Sequence, residues 1–280
     1  MKNILIPTDF SANAWNALLY GIAFFKKTHC TFHIVHVNSI NTNASGEAAM
    51  YVSQDLLEES ILQDSNDKLD RLLKKIEHLP LNTKHQFNTL ALYGFLTDHL
   101  KGQVKEKKID LIIMGTKGST GLKAVSIGSN TGNVITKVPC TVLAVPEMAT
   151  YHKIKEIGFP SDFQLKYDYR ILDTLRDILI MKESALRLLY VSPKGEKMNT
   201  AQEDNKALLQ DYFKESECSF HLVTGRKIDE SIQCFTESRN LDLLVMVAKN
   251  LNFLERILFR PTVEKISYHT KVPFLVIHES

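Results

Sequence analysis

The chain has 280 residues, room for one large domain or two of about 140, and either size buries a substantial core. Its 34 basic and 32 acidic residues leave a formal charge of +2, which excludes the basic excess of a nucleic-acid binder or an anionic-membrane binder. Apolar content of 44% and charged content of 24% are those of a soluble globular protein.

Ile4-Leu5-Ile6 reads as a short strand stopped by Pro7. Ala12 to Lys27 then has helical periodicity, with Ala14, Ala17, Leu18, Gly21, Ile22 and Phe25 on one side. Ser11 is the expected N-cap, with Thr8 or Asp9 as alternatives. Asp9 therefore stands at the C-terminal end of the first strand, the edge where open α/β sheets bind ligands. A plain capping role explains Asp9 equally well.

Thr31 to Val37 is the second expected strand. His29, Cys30, His33 and His36 cluster in sequence, but strand side chains alternate, so His33 and His36 face opposite ways and a metal site is not expected. Asn38 to Ser53 is polar and small and reads as a long loop of the kind that forms lids. Asp55 to Leu79 is a long helix ended by Pro80, and Lys84 to Leu90 is a third strand. Gly94 turns the chain into a helix from about Phe95 to Lys107, whose run from Lys105 to Lys108 is a solvated face. Asp110 to Met114 is strand four, Asn130 to Lys137 a helix, and Val138 to Val145 strand five, ended by Pro146.

Strands alternating with helices argue for a doubly wound parallel sheet with helices on both faces. The longest uncharged apolar run, Ala17 to Phe25, is nine residues and too short to cross a bilayer. Lys2 to Asp9 reads as a strand and turn rather than a leader. Cys30, Cys140, Cys218 and Cys234 have no metal spacing and read as free thiols in a reducing cytoplasm.

The pattern then restarts. Ile154 to Phe163 echoes Ile4 to Phe10, and Leu186 to Val191 echoes the strand ending His36-Val37. Gly225 sits where Gly94 sat, Leu241 to Met246 echoes Ile109 to Met114, and Thr270-Lys-Val-Pro273 repeats Thr136-Lys-Val-Pro139. Five landmarks in one order predict a tandem duplication with its boundary near Met148 to His152.

Between strand four and the following helix runs Met114-Gly115-Thr116-Lys117-Gly118-Ser119-Thr120-Gly121, and then on to Gly128-Ser129. Glycines let backbone approach a phosphate, while free N–H groups and the helix dipole favour negative charge. Ser119, Thr120 and Ser129 add hydroxyls. Lys117 and Lys123 either neutralise phosphates or sit in solvent. Two residues separate Gly115 from Gly118, nine separate Gly118 from Gly128, and Ser129 follows directly. This is neither the dinucleotide fingerprint nor a P-loop. It resembles the G-x2-G-x9-G-[S/T] signature of the universal stress protein family, in its ATP-binding branch. In the second half, Val247 to Thr262 holds no glycine and carries Leu251, Phe253, Leu254 and Pro261, so a phosphate is not expected there.

The resemblance implies an α/β chain of two tandem Rossmann-like domains, each a five-stranded parallel sheet with helices on both faces. Residues 1–148 would carry the nucleotide-binding loop and 149–280 a degenerate one. It implies that Asp9 and Val37 contact adenine, beside Pro7, Thr8 and Met114. Gly115, Gly118, Gly128 and Ser129 would hold ribose and phosphates, with Thr116, Ser119 and Asn130 nearby. Family members pair through strand five, so Thr141 to Val145 and Phe274 to Ile277 are expected to pair the two domains; a homodimer stays open.

No catalytic set is evident. G-x-S-x-G is absent, and Asp9 has no second carboxylate beside the loop for Mg²⁺, since Asp110 lies at the far end of strand four. The reading is a cytoplasmic stress-response protein that binds ATP or AMP, with Mg²⁺ open, and regulates a partner as the nucleotide stabilises one conformation. Asn38 to Ser53 is the candidate moving element. A slow ATP hydrolase using the same pocket, and a ligand-independent scaffold or stress chaperone, are the alternatives.

Overall fold

The computed structural model describes residues 1–38, 54–116, 128–192, 195–225, 227–249 and 272–278. The first half runs β1 (Lys2–Pro7), α1 (Ala12–Phe24), β2 (Cys30–Asn38), α2 (Gln54–Glu77), β3 (His85–Tyr93), α3 (Leu96–Glu106), β4 (Leu111–Gly115), α4 (Ser129–Lys137) and β5 (Val142–Val145). The second runs β6 (Glu156–Pro160), α5 (Tyr169–Lys182), β7 (Ala185–Ser192), α6 (Thr200–Tyr212), β8 (Cys218–Thr224), α7 (Ile228–Arg239), β9 (Leu243–Val247) and β10 (Phe274–Ile277).

The strands form one ten-stranded sheet in the order β3-β2-β1-β4-β5-β10-β9-β6-β7-β8. Neighbours within each half are parallel, and β5 and β10 are antiparallel, with Leu143 opposite Leu275. Central strands are buried on both faces, so β4 and β9 read as unbroken apolar runs, whereas the edge strand β3 beyond His85 has half-buried residues alternating with exposed ones as far as Leu90.

Alternation along each strand builds two cores. Ile4, Ile6, Ile34 and Leu143 pack with Leu18, Phe24 and Leu69 of α1 and α2 on one face. Ile157, Leu188 and Leu275 extend that core under Leu175 of α5 and Leu209 of α6. On the other face Leu5, Val35, Ile112 and Met114 pack with Leu100 of α3 and Val134 of α4, continuing through Val142, Val276 and Ile232 of α7.

Several boundaries differ from expectation. α1 stops at Phe24 rather than Lys27, where Phe25 closes the last turn through its N–H to Gly21 O. β3 runs to Tyr93 rather than Leu90, held along its length by β2. β5 begins only at Val142, because Val138 and Pro139 belong to the exit from α4. The segment from Asn38 to Ser53 lies outside the described residues after its first member.

The repeat is visible in bonding as well as order. Asp110 accepts the N–H of Asn3 at 2.7 Å and pairs with Lys2, tying β4 to β1 at their N-terminal edge. Asp242 does the same for β9 and β6 through the N–H groups of Lys155 and Glu156 at 2.7 and 3.0 Å. One pairing has changed character. Leu5 registers with His33, and Gly158 with Arg187. His33 meets Asn3 Oδ1 at 3.4 Å, whereas Arg187 forms a buried fork onto Glu156 at 2.5 and 2.8 Å.

Candidate functional site

The strand order turns back between β1 and β4, which lie side by side. Their C-terminal ends therefore form the crevice where open α/β sheets take ligands. The turn after β1 is built by short bonds. Thr8 N–H donates to Val35 O, Thr8 Oγ1 accepts the N–H of Phe10, and Asp9 Oδ1 accepts the N–H of Ser11 at 3.0 Å. Phe10 sits at φ 62°, in the left-handed region. Ser11 is the N-cap of α1, its Oγ accepting from Ala14 N–H, so capping falls to Ser11 and not to Thr8 or Asp9. The same turn recurs after β6: Ser161 N–H donates to Leu189 O, Asp162 Oδ1 accepts from Gln164, and Phe163 has φ 52°. Asp162 does not cap α5, because Asp168 holds that position.

His36 props the first turn from below. Its Nδ1 lies 2.7 Å from Thr8 O and donates to it, and its ring stands 4.5 Å from that of Phe10. His36 thus serves backbone geometry, on the opposite side of β2 from His33.

The end of β4 is equally constrained. A Cβ at Gly115 would stand 2.6 to 2.9 Å from the side chain of Asn13 in α1, so only glycine lets that helix start lie against the strand end. Thr116 N–H donates to Val145 O, and Gly128 N–H returns to Thr116 O at 2.6 Å, closing the excursion between β4 and α4 at its base. Thr131 Oγ1 donates to Gly115 O at 2.7 Å and pins the first turn of α4 there. α4 has Gly128 as its N-cap, no side-chain cap bond and no acidic residue in its first turn. The first N–H groups of a helix have no partner within the helix. This end thus combines donors that no side chain of the described residues caps with the positive end of the dipole, beside the β1–β4 crevice.

The expected site residues divide by face. Val37 and Met114 pack on the α3/α4 side, as does Pro7 by its alternation with Leu5. Thr8 points to the α1/α2 side, where it lines a cavity between those helices. Gly115, Thr116, Gly128, Ser129 and Asn130 stand at the ends of β4 and α4, and Ser129 and Asn130 are exposed. Gly118 and Ser119, like Lys117, Lys123 and Leu251 to Thr262, lie outside the described residues. Asn13, His36 and Thr131 shape the site without figuring in the motif. Asn13 and Thr131 each lie in the first turn of a helix that follows a strand end, the one available sequence signal.

The thiols offer no nucleophile at neutral pH in the core: burial, followed by the nearby Asp110 carboxylate, pushes Cys30 up to about 11 and Cys140 up to about 12. No group of three His, Cys, Asp or Glu arranged for a metal occurs among the described residues.

A model of the universal stress protein family matches residues 1–146 and again 155–278. The chain belongs to that family. Universal stress protein Slr1230 of Synechocystis sp. is 24% identical over 296 aligned residues, covering 98% of this chain and 99% of that protein. Universal stress protein MJ0577 of Methanocaldococcus jannaschii is 28% identical over 156 residues, covering 51% of this chain and 94% of that protein. A solved universal stress protein from Archaeoglobus fulgidus superposes with a TM-score of 0.74 at 16% identity, covering 99% of this chain and 98% of that one, a likeness of fold. The family match falls twice on one chain, so this universal stress protein is a tandem repeat of the family unit. Among its described residues no helix is long and apolar enough to cross a membrane.

Proposed function

We propose that residues 1–148 form a domain that binds one adenine nucleotide, ATP or AMP, at the C-terminal ends of β1 and β4. Residues 149–280 form a second domain without a phosphate loop. The observation that carries this reading is the start of α4. Its first turn has neither a capping side chain nor an acid, and it opens beside a strand end kept free of side chain at Gly115. An unfilled helix start is expected to take an anion.

In this reading phosphates lie on Gly128, Ser129 and Asn130, with Gly118 and Ser119 from the loop. Adenine lies near Asp9, Val37 and Met114. The bound nucleotide stabilises one conformation of the chain, and a partner senses that conformation.

The purified protein is denatured and any released nucleotide identified by mass spectrometry, and ATP and AMP are titrated calorimetrically into wild type and Gly118→Trp. One nucleotide per chain, lost in the variant, is expected. Two per chain would restore a site to the second domain. No binding by a folded protein would overturn the reading in favour of a ligand-independent scaffold.

A further inference from the structure

A cavity of about 300 Å³ opens between α1 and α2, on the sheet face opposite Val37 and Met114. That size is at the lower end of the ~300–1,000 Å³ typical of small-molecule sites. Ile6 and Ile34 of the sheet form its floor, and Leu18, Trp15 and Leu72 form its walls. Thr8 and Ser11 close one end; each hydroxyl oxygen accepts a backbone N–H, which leaves the hydroxyl proton to donate inward.

The mouth is cationic. Lys68, Arg71 and Lys75 line it, three and four residues apart and so stacked on one face of α2. α2 also carries Asp64, Asp67 and Asp70, and none of them lines the cavity. Lys68 is paired with Asp64 at 2.6 Å, and Lys75 Nζ lies 3.8 Å over the Trp15 ring. Among the described residues no carboxylate pairs with Arg71. A half-open apolar cavity whose charged lining residues are all cationic, with no carboxylate of the described residues on Arg71, matches a ligand with an apolar tail and one anionic head.

We propose that this cavity binds a medium-chain carboxylate, its alkyl chain against Ile6, Ile34 and Leu18 and its carboxylate forked by Arg71, with Lys68 and Lys75 flanking. Arg–carboxylate pairs are frequently bidentate, which sets the head at the mouth and the tail inward. The site is separate from the nucleotide crevice and does not depend on it.

Trp15 is the chain's single tryptophan and stands in the cavity wall, so its emission reports occupancy directly. Sodium octanoate, 1-octanol and octylammonium are titrated into the full chain, as wild type, Arg71→Gln and the cavity-filling Ala14→Leu, with circular dichroism as the check on folding. The expected result is a saturable emission change with octanoate, and binding of octanol and octylammonium weaker by about tenfold or more. Arg71→Gln weakens octanoate by about fivefold to tenfold and leaves octanol unchanged. Ala14→Leu, where it folds, abolishes the response. No saturable change with octanoate below its micellar range overturns the proposal. So does octanol binding as tightly as octanoate with Arg71→Gln without effect. Arg71 is exposed on α2, so its replacement tests the proposal even where Ala14→Leu fails to fold.

Discussion

At the scale of single residues, Gly115 shows why a motif glycine can be fixed by packing before any ligand arrives. The spacing of glycines points to phosphate, but the first thing a side chain at Gly115 would meet is Asn13. Gly115→Ala forces that contact apart and is expected to cost about 1–3 kcal/mol, as overpacked sites do. A urea midpoint measures it, and pairing the change with Asn13→Ala recovers part of the loss because the two substitutions share one contact. An unchanged midpoint in Gly115→Ala would remove the packing argument. His36 teaches the converse: a histidine close in sequence to His29, Cys30 and His33 suggests a metal, yet its Nδ1 is spent on Thr8 O.

At the scale of elements, α4 differs from the other helix starts near it. α1 is capped by Ser11, α5 by Asp168 and α6 by a reciprocal Asn199–Gln202 box; α3 and α7 lack a side-chain cap bond but carry acids in the first turn, Asp98 and Asp229 with Glu230, while α4 has neither cap bond nor acid. A missing cap ordinarily costs a helix ~1 kcal/mol, so an uncapped start at a strand-end crevice is the feature to test. Ser129→Asp supplies an acid in the first turn. It is expected to stabilise the fold slightly, by ~0.3–1 kcal/mol. The same charge repels a phosphate, so ATP affinity is expected to fall by about tenfold or more. Thermal unfolding and calorimetric titration read the two effects separately. A variant that gains stability and binds ATP as well as wild type would mean that phosphates do not use this helix end.

At the scale of the whole molecule, one buried cation links elements far apart in sequence. Lys182, at the end of α5, donates to Phe24 O at the end of α1, lies 3.6 Å over the Phe24 ring and reaches Tyr151 OH at 3.4 Å. Burial, the dominant influence, brings Lys182 down to about 8. An unfolded lysine titrates near ~10.4. Between those values the unfolded chain holds the extra proton, so this group's contribution to stability rises as pH rises from 8 towards 10.5. Buried Tyr20 and half-buried Tyr151, both shifted upward by desolvation, act in the opposite sense at higher pH. The test is therefore the difference between wild type and Lys182→Met. Denaturant unfolding from pH 7.5 to 10.5 is expected to show that difference moving in favour of wild type; a flat difference would mean that Lys182 is as easily protonated folded as unfolded.

Much of this architecture was legible from the chain alone. A buried parallel strand must be apolar along its length and a crossover helix must be amphipathic, so β1 to β5 were legible, as were β6, β7, β9 and β10 through the repeated landmarks, whereas the half-exposed edge strand β8 was not read. The candidate site was legible as a set of residue types: Asp9 after β1, Gly115 and Gly128 around α4. What needed tertiary structure were contacts with no local signature. Nothing in the sequence placed Asn13 over Gly115, His36 under Thr8, or Lys182 on Phe24, because each joins residues separated by a whole strand–helix unit or more. Nor did it divide Thr8 from Val37 and Met114, which requires knowing which way each strand's pleat faces. Local periodicity follows from the backbone's own geometry and can be read in order along the chain. Pairing across the sheet and the cavity between α1 and α2 arise only when surfaces meet in three dimensions.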